Sequence, residues 1–391
     1  MRICLVGVSG VGLHGGPTDG SEKQIATLAR HLARRGHEVT FVALDYGGPV
    51  VQIDGVRLRA AWDPDKGLRW LRAPAYRLPN LRRVLMATEA DLYYVRGTTS
   101  ISPTLLKVGR RRGSPALLGL ASDRDLFPDS GRVLFDLGSS RLHRALGYLA
   151  WLGFQRRALR TADLVVVQNS RQAAICTSLR LPYVLIPSIV DEPAEGLLSL
   201  SPDYDVVWAG NVRNEGRRSK GVEELARLAQ RLPEVRFAVV GALESAAVQN
   251  AVARMRSLVN VELLGWLEYG ESQRCIAHSR VVVNTSPAEG FSNVMLEGWA
   301  LGKPAVTLTV NPSGLLHENG LGRCADGDPD VMASLLRASL QDEAWLKATG
   351  DRARDYVRAV HAADVVCARY ERLATSAAPW TERARRQRRD V

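Results

Sequence analysis

Hydrophobic positions along this chain gather into short β-branched runs separated by amphipathic stretches. The runs fall at 3–8 (ICLVGV), 38–44 (EVTFVAL), 90–95 (ADLYYV), 116–121 (ALLGLA), 163–168 (DLVVVQ) and 183–187 (YVLIP). Near-continuous apolar runs of this length predict strands buried on both faces. Between the first two lies SEKQIATLARHLARRG (21–36). Its apolar Ile25, Leu28, Ala29 and Leu32 recur at helical spacing, and a glycine follows as a stop. Strands alternating with helices predict a parallel sheet covered on both faces.

The alternation then restarts. IVDEPAEGLLSLSPDYD (189–205) is rich in Pro, Glu and Ser and reads as a linker. Beyond it come DVVWAG (205–210), the helical GVEELARLAQRL (221–232), VRFAVVG (235–241), VELLGW (261–266), RVVVNTS (280–286) and PAVTLT (304–309). At 391 residues the chain suits two cores better than one. The expectation is an α/β protein with two Rossmann-like doubly wound domains in tandem and an interdomain cleft. Residues 1–190 form the first domain, 191–204 the linker and 205–370 the second domain. Residues 371–391 end the chain as a helix with a basic tail, the last helical segment running from about 342 to 389.

Open parallel sheets bind ligands at the carboxyl ends of their strands. Three loops fit such a position. GVSGVGLHGGPTDGSEKQ (7–24) is glycine-rich and feeds a helix N-terminus, which suits an anion. Residues 7–12 read G-V-S-G-V-G, so the dinucleotide fingerprint G-x-G-x-x-G is not expected in this loop, and neither is G-x-S-x-G nor the P-loop pattern. AGNVRNEGRRSKG (209–221) crowds Arg213, Arg217, Arg218 and Lys220 ahead of a helix, cations that suit a diphosphate. A merely solvated basic loop is the alternative reading.

The third loop, SPAEGFSNVMLEGWALGKPAV (286–306), holds two carboxylates. Glu289 lies before a helix that begins near Ser292 or Asn293, and Glu297 lies in its second turn. Glu297 stands about 7 to 8 Å further along the axis at about 1.5 Å per residue. Helical side chains lean toward the N-terminus, so it reaches back toward the same ligand. Backbone N–H groups of residues 290–293 lie between the two. A sugar–diphosphate–ribose ligand has that layout, hydroxyl-rich at both ends and anionic in the middle. The alternative is an exposed loop glutamate beside a solvated helical one.

Charge sharpens the picture. The chain carries +11, and residues 1–195 hold 27 Lys and Arg against 17 Asp and Glu. This asymmetry points to an anionic partner: nucleic acid, an acidic membrane surface or a phosphate-bearing substrate. No basic motif interleaved with aromatics is present, so nucleic acid is not expected. KGLRWLRAPAYRLPNLRRVL (66–85) mixes Arg with Trp, Leu and Tyr, which suits peripheral contact with anionic membrane, an ordinary Arg-rich acceptor-domain surface being the alternative reading. Its Pro74 and Pro79 are expected to interrupt any continuous helix. The five cysteines (4, 176, 275, 324, 367) have no C-x-x-C or metal-type spacing, so a reduced cytoplasmic setting is expected. The opening MRICLVGV carries no cleavable signal pattern. No apolar run approaches the roughly 20 residues of a membrane span. The longest, ALGYLAWLGF (145–154), is apolar all round and predicts a buried core helix.

The E-x(7)-E element of Glu289 and Glu297, within NTSPAEGFSNVMLEGWALGKPAV, resembles the signature of family-four retaining nucleotide-sugar glycosyltransferases of the GT-B fold. AGNVR…KGVEELARLAQRLPEVRFAVVG, NVELLGWLEYGE and DGSEKQIATLARHLARRGHEVTFVA are similar to the same family. The resemblance covers most of the chain, is strongest over 205–310 and is weak over 46–160. It implies that Glu297 binds the ribose and Glu289 the donor-sugar hydroxyls. Backbone groups of Gly290, Phe291, Ser292 and Asn293 would hold sugar and phosphate. Lys220 and Arg213 would bind the diphosphate and stabilise it as it leaves, Trp266 would border the base, and Gly20 would open the first loop to the phosphates. Front-face transfer of a hexose-type sugar without a metal or other cofactor is implied, to a glycan or lipid-linked acceptor in cell-envelope polysaccharide or glycolipid synthesis. That work would take place in the cytoplasm, at the inner face of the membrane.

Two departures stand out. Many members carry a histidine where LLGLASDRDLFP (117–128) has Asp123, which would orient the acceptor hydroxyl instead. The phosphate loop is also long, so Arg217 or Arg218 could stand in for Arg213. Asp-x-Asp pairs at 63/65, 123/125, 203/205, 326/328 and 328/330 admit a metal-dependent transferase of another fold, but they lack its strand arrangement. The chain also admits a nucleotide-sugar epimerase of the same fold, or a non-enzymatic protein that binds anions or nucleic acid.

Overall fold

The structure, a computed structural model, describes residues 1–375 apart from 15, 17–19, 45, 64, 68–71, 127–140 and 213–219. The chain divides into two compact units. Met1–Ile189 with the helix Ala363–Thr375 make the first, and Val190–Ala362 makes the second.

The first unit opens with β1 (Arg2–Gly7), α1 (Gly20–Arg34) and β2 (Glu38–Ala43). A hairpin of β3 (Val51–Ile53) and β4 (Val56–Ala60) follows, then α2 (Leu78–Met86), β5 (Leu92–Arg96) and α3 (Ser102–Arg112). Next come β6 (Ala116–Gly119), α4 (Arg141–Thr161), β7 (Leu164–Val167), α5 (Ser170–Ser178) and β8 (Tyr183–Leu185). The sheet order is β3-β4-β2-β1-β5-β6-β7-β8. Every pair is parallel except β3 with β4. Alternate residues of β1 feed opposite cores: Ile3 and Leu5 join Ile25, Leu28 and Leu32 of α1, while Cys4 and Val6 join Leu81, Leu85 and Leu105. Burial on both faces is why these strands read as unbroken apolar runs.

The second unit contains β9 (Tyr204–Ala209), α6 (Val222–Arg231), β10 (Phe237–Val240), α7 (Gln249–Arg256) and β11 (Val261–Gly265). It continues through α8 (Tyr269–Ala277), β12 (Ser279–Asn284), α9 (Asn293–Ala300), β13 (Ala305–Thr307) and α10 (Leu315–Glu318). β14 (Gly322–Cys324), α11 (Pro329–Gln341) and α12 (Glu343–Val360) complete it. Its sheet is wholly parallel, in the order β11-β10-β9-β12-β13-β14. The chain winds outward from β9 to β11, then crosses back to start again at β12. The point where the winding reverses therefore lies between β9 and β12.

Three expectations meet the structure here, the first and third as corrections. The second domain does not run to 370, because α13 (Ala363–Thr375) belongs to the first unit. Its Ala363, Val366, Cys367 and Tyr370 are buried in the core that contains α1, and the Tyr370 ring meets Tyr94 edge-on at 5.5 Å. Arg35 donates through Nε and Nη2 to the Glu371 carboxylate at 2.7 and 2.9 Å and through Nη1 to Asp364 at 2.7 Å. The segment expected as one helix from about 342 is thus two, α12 and α13, and residues 376–391 with the basic tail lie outside the described residues.

Second, residues 66–85 are not one continuous α-helix, as Pro74 and Pro79 predict: Lys66 and Gly67 are not helical, and the winding changes between Arg77 and Leu78. Residues 72–77 wind as a π-turn that runs directly into α2, with Pro79 in the first turn, where its missing N–H is harmless. Third, the stretch 145–154 lies in α4, but Leu149 is 61% exposed, so that helix is not buried all round. Among the described residues no helix is long and apolar enough to cross a membrane.

Candidate active site

Sheets of this order take ligands outside the carboxyl ends of the strands that flank the reversal. In the second unit those strands are β9 and β12, and their loops carry Lys220 and Glu289. Lys220 and Gly221 are consecutive left-handed residues, with φ of +48° and +69°. A Cβ on Gly221 would lie 1.9 Å from the Thr285 carbonyl oxygen. Only glycine lets the loop after β9 close onto the loop after β12. The contact is tied by side chains: Trp208 Nε1 donates to Thr285 Oγ1 at 3.0 Å, and Thr285 Oγ1 donates to the Lys220 carbonyl at 3.3 Å.

This approach sets Lys220 Nζ 3.7 Å from Glu289 Oε1, with the side chains 40% and 19% exposed respectively. Ser286 Oγ donates to Glu289 Oε1 at 2.8 Å, and Asn284 Nδ2 donates to Oε2 at 3.5 Å. Asn284 Oδ1 accepts from the Ser286 amide at 2.9 Å, which fixes both supports. Glu289 is thus held from the end of β12, whereas among the described residues the Lys220 ammonium meets only a long, half-exposed ion pair. Pairs of that kind contribute roughly 0–1 kcal/mol, so an arriving anion can take the ammonium from the carboxylate.

Helix α9 begins where the carboxylate spacing predicts. Ser292 caps it, its Oγ accepting from the Met295 amide at 3.4 Å, and no acidic residue occupies the first turn. Its first turn therefore adds no carboxylate of its own that would oppose an anion at the helix's positive end. Helix α6 differs, since Glu223 and Glu224 fill its first turn. The Phe291 ring packs 5.1 Å from His361 and 6.1 Å from Trp299, which pins the loop backbone at Gly290–Ser292.

Glu297 stands in the second turn of α9 and is 5% exposed. Gln273 of α8, also buried, donates to its Oε2 at 3.0 Å. Asn293 is the first residue of α9. Trp266 follows β11 directly and is 38% exposed. Between β9 and β10 the backbones nearly touch: Gly241 has φ +128°, and a Cβ there would lie 2.1 Å from the Gly210 oxygen. Arg213, Arg217 and Arg218 lie outside the described residues.

In the first unit, Gly20 is the first residue of α1. Glu22 in the same turn accepts from the Ser9 amide at 3.1 Å and from Ser9 Oγ, and Arg30 Nη1 donates to the Gly12 carbonyl at 3.0 Å. Residues 10–15 read G-V-G-L-H-G, which has the spacing of the dinucleotide fingerprint that residues 7–12 lack. Here Val11–Leu13 form a 3-10 turn and α1 opens only at Gly20, so the glycines do not lead into the helix as that fingerprint requires.

Asp123 follows β6. Gln172 Nε2 donates to its Oδ1 at 3.1 Å, and Arg171 Nε lies 3.6 Å from Oδ2. Asp125 has a different task. It is buried and accepts from the Thr98 amide and hydroxyl at 2.7 and 2.6 Å and from the Ala121 and Ser122 amides at 2.7 and 3.1 Å. Other Asp-x-Asp pairs also hold structure: Asp205 receives Arg280 and the Arg236 amide, and Asp328 caps α11. Sequence reasoning missed Asn284, Ser286, Gln273 and Asp125. The first two sit inside the motif already singled out and Asp125 in the 123/125 pair, at capping-box spacing from Ser122, whereas Gln273 carried no local signal.

Residues 19–187 match the family profile described as Glycosyl transferase 4-like domain, and residues 203–342 match Glycosyl transferases group 1. No curated protein sequence matches the chain. Among solved structures, a sucrose-phosphate synthase from Thermosynechococcus elongatus is similar with a TM-score of 0.73 at 19% identity, over 96% of this chain and 98% of that one. WaaG, a glycosyltransferase involved in lipopolysaccharide biosynthesis, is similar with a TM-score of 0.65 at 15% identity, over 91% and 95%. A UDP-forming α,α-trehalose-phosphate synthase from Burkholderia xenovorans, in complex with glucose-6-phosphate, gives 0.65 at 14% identity, over 96% and 99%. At these identities the structural likeness speaks for the fold, and the profiles speak for the chemistry. With a glycosyltransferase profile in each unit over two doubly wound sheets, the chain is a glycosyltransferase of the GT-B fold.

Proposed function

We propose that the protein is a retaining, family-four transferase that moves a hexose-type sugar from a nucleotide-sugar donor to a hydroxyl acceptor. The meeting of Lys220 and Glu289 at the β9/β12 reversal carries this reading. Lys220 takes the donor diphosphate, leaving Glu289 to accept hydrogen bonds from the sugar hydroxyls in an orientation set by Ser286 and Asn284. The N–H groups of residues 290–293 and the positive end of α9 meet the phosphate oxygens. Glu297 accepts from the ribose diol, with Gln273 holding its other side. Trp266 borders the base, and Gly20 gives the phosphates room at the first loop. A second phosphate contact falls to Arg213, Arg217 or Arg218.

The step breaks the bond between the sugar's anomeric carbon and the phosphate oxygen. The acceptor oxygen bonds to the same face of that carbon, and its proton goes to the departing phosphate. Charge building on the diphosphate is met by Lys220 and the α9 N-terminus, preorganised donors of the kind that supply much of an enzyme's rate enhancement. With those cations in place the transfer needs no metal. Asp123 orients the acceptor hydroxyl.

The UDP-forming trehalose-phosphate synthase and the lipopolysaccharide enzyme support a nucleotide-sugar donor and a cell-envelope glycan or lipid-linked acceptor. Exposed Arg82 and Arg83 beside exposed Met86 on α2 support contact with an anionic membrane surface, which we place on the cytoplasmic side. Flotation with anionic liposomes at low salt checks that contact.

The deciding experiment is a screen of UDP-, GDP- and ADP-sugars by thermal shift and hydrolysis, run with and without a chelator. One donor should stabilise the protein and release its nucleotide, chelator present or not. Loss of turnover on chelation would point to a metal-dependent transferase, and sugar interconversion without an acceptor to an epimerase.

A further inference from the structure

The end of the second sheet holds another set of donor atoms that the transfer step does not use. Cys324 ends β14, Asp326 follows in a left-handed turn with φ +49°, and His317 stands on α10, which packs against β14. One nitrogen of His317, the Cys324 sulfur and one Asp326 oxygen all lie within 4.8 Å of one another. In a tetrahedral zinc site with bonds of about 2.0–2.3 Å, ligand atoms sit about 3.5 Å apart. A small rotation of the exposed His317 and Asp326 side chains covers the difference.

The backbone beneath them is fixed. Cys324 pairs in register with Thr307, and the turn is tied by Ala325 N to Thr307 O at 2.9 Å, Gly327 N to Leu308 O at 2.7 Å and Asp328 N to Ala325 O at 3.0 Å. The neighbouring cation is occupied elsewhere, since the Arg323 guanidinium lies 4.3 Å from the centre of the Trp345 ring. One sulfur, one imidazole nitrogen and one carboxylate oxygen suit a borderline-soft ion, whereas magnesium and calcium prefer oxygen throughout.

We propose that His317, Cys324 and Asp326 bind one zinc ion, with its fourth position open to water. The thiol proton leaves to solvent as the sulfur takes the metal. Register pairs Asn284 with Thr307 and Thr307 with Cys324. The ion therefore sits two strand spacings, about 10 Å, along the sheet end from Asn284. It takes no part in the transfer step, and its binding is independent of the donor's identity.

The test titrates the full-length, reduced, metal-free protein with cobalt(II) as a spectroscopic stand-in. One equivalent should give a thiolate-to-cobalt charge-transfer band in the near ultraviolet with intense tetrahedral bands in the visible, and zinc should displace it. His317→Gln and Asp326→Asn change exposed residues, and asparagine tolerates the left-handed turn. Each should weaken cobalt binding by about tenfold or more, and Cys324→Ser should remove the charge-transfer band. Absence of the band in the wild type, its survival in Cys324→Ser, or unchanged affinity in His317→Gln and Asp326→Asn would overturn the site.

Discussion

At the scale of single residues, the site depends on two unlike anchors. Glu289 is held by neutral donors at the end of β12, so its carboxylate is positioned before any ligand arrives. Glu289→Ala should lower turnover by roughly 10²–10³, the range seen when one preorganised polar contact to the reacting group is lost. Binding of the bare nucleoside diphosphate should stay within a few-fold, as steady-state kinetics beside equilibrium binding will reveal; equal turnover would remove Glu289 from its role. Gly221 carries the other anchor. Gly221→Ala places a methyl group against the Thr285 carbonyl at a left-handed φ. It should destabilise the protein by roughly 3 kcal/mol, read from the denaturant midpoint, and weaken nucleotide binding as the two loops part.

At the scale of elements, apolar periodicity located eleven of the strands to within about two residues, because burial on both faces leaves an unbroken signature. The β3–β4 hairpin was overlooked although its Asp54-Gly55 turn is written in the sequence, both residues being left-handed as a two-residue turn demands. β14, only Gly-Arg-Cys, is too short and polar to show a pattern. Glu289 and the Ser292 cap were legible because both belong to one local motif. The contact of Lys220 with Glu289 was not, because it follows from the close approach of Gly221 to Thr285 across two strands.

The allegiance of α13 was equally hidden, since an amphipathic helix does not declare which core it faces. Its clasp is testable by pH. The Arg35 guanidinium bonded to Glu371 holds that carboxyl at about 2, below its usual 4.5, against the opposing effect of burial and with His37 assisting. A depressed carboxyl stabilises the fold fully above its unfolded value, so the contribution is present above about pH 4.5 and lost as pH falls toward 2. Glu371→Gln should lower stability by roughly 1–2 kcal/mol at neutral pH and flatten the stability profile between those limits. Chemical denaturation across pH measures both; a profile that keeps its slope would deny the clasp its part.

For the whole molecule, two doubly wound sheets each present the carboxyl ends of their strands, and the second gathers its polar groups where the winding reverses. Fold class and chemistry were readable from strand–helix alternation and one motif, whereas the identities of donor and acceptor rest on contacts no pattern displays. The central claim is that Lys220 and Glu289 together form the donor site. Calorimetric titration of the wild type, Lys220→Ala and Glu289→Ala with nucleotide sugars and their bare diphosphates tests it most directly. The account predicts that Lys220→Ala weakens both kinds of ligand by at least about tenfold, while Glu289→Ala weakens only the intact nucleotide sugar. Heat absent with every ligand, or a Lys220→Ala protein that binds as the wild type does, would contradict it.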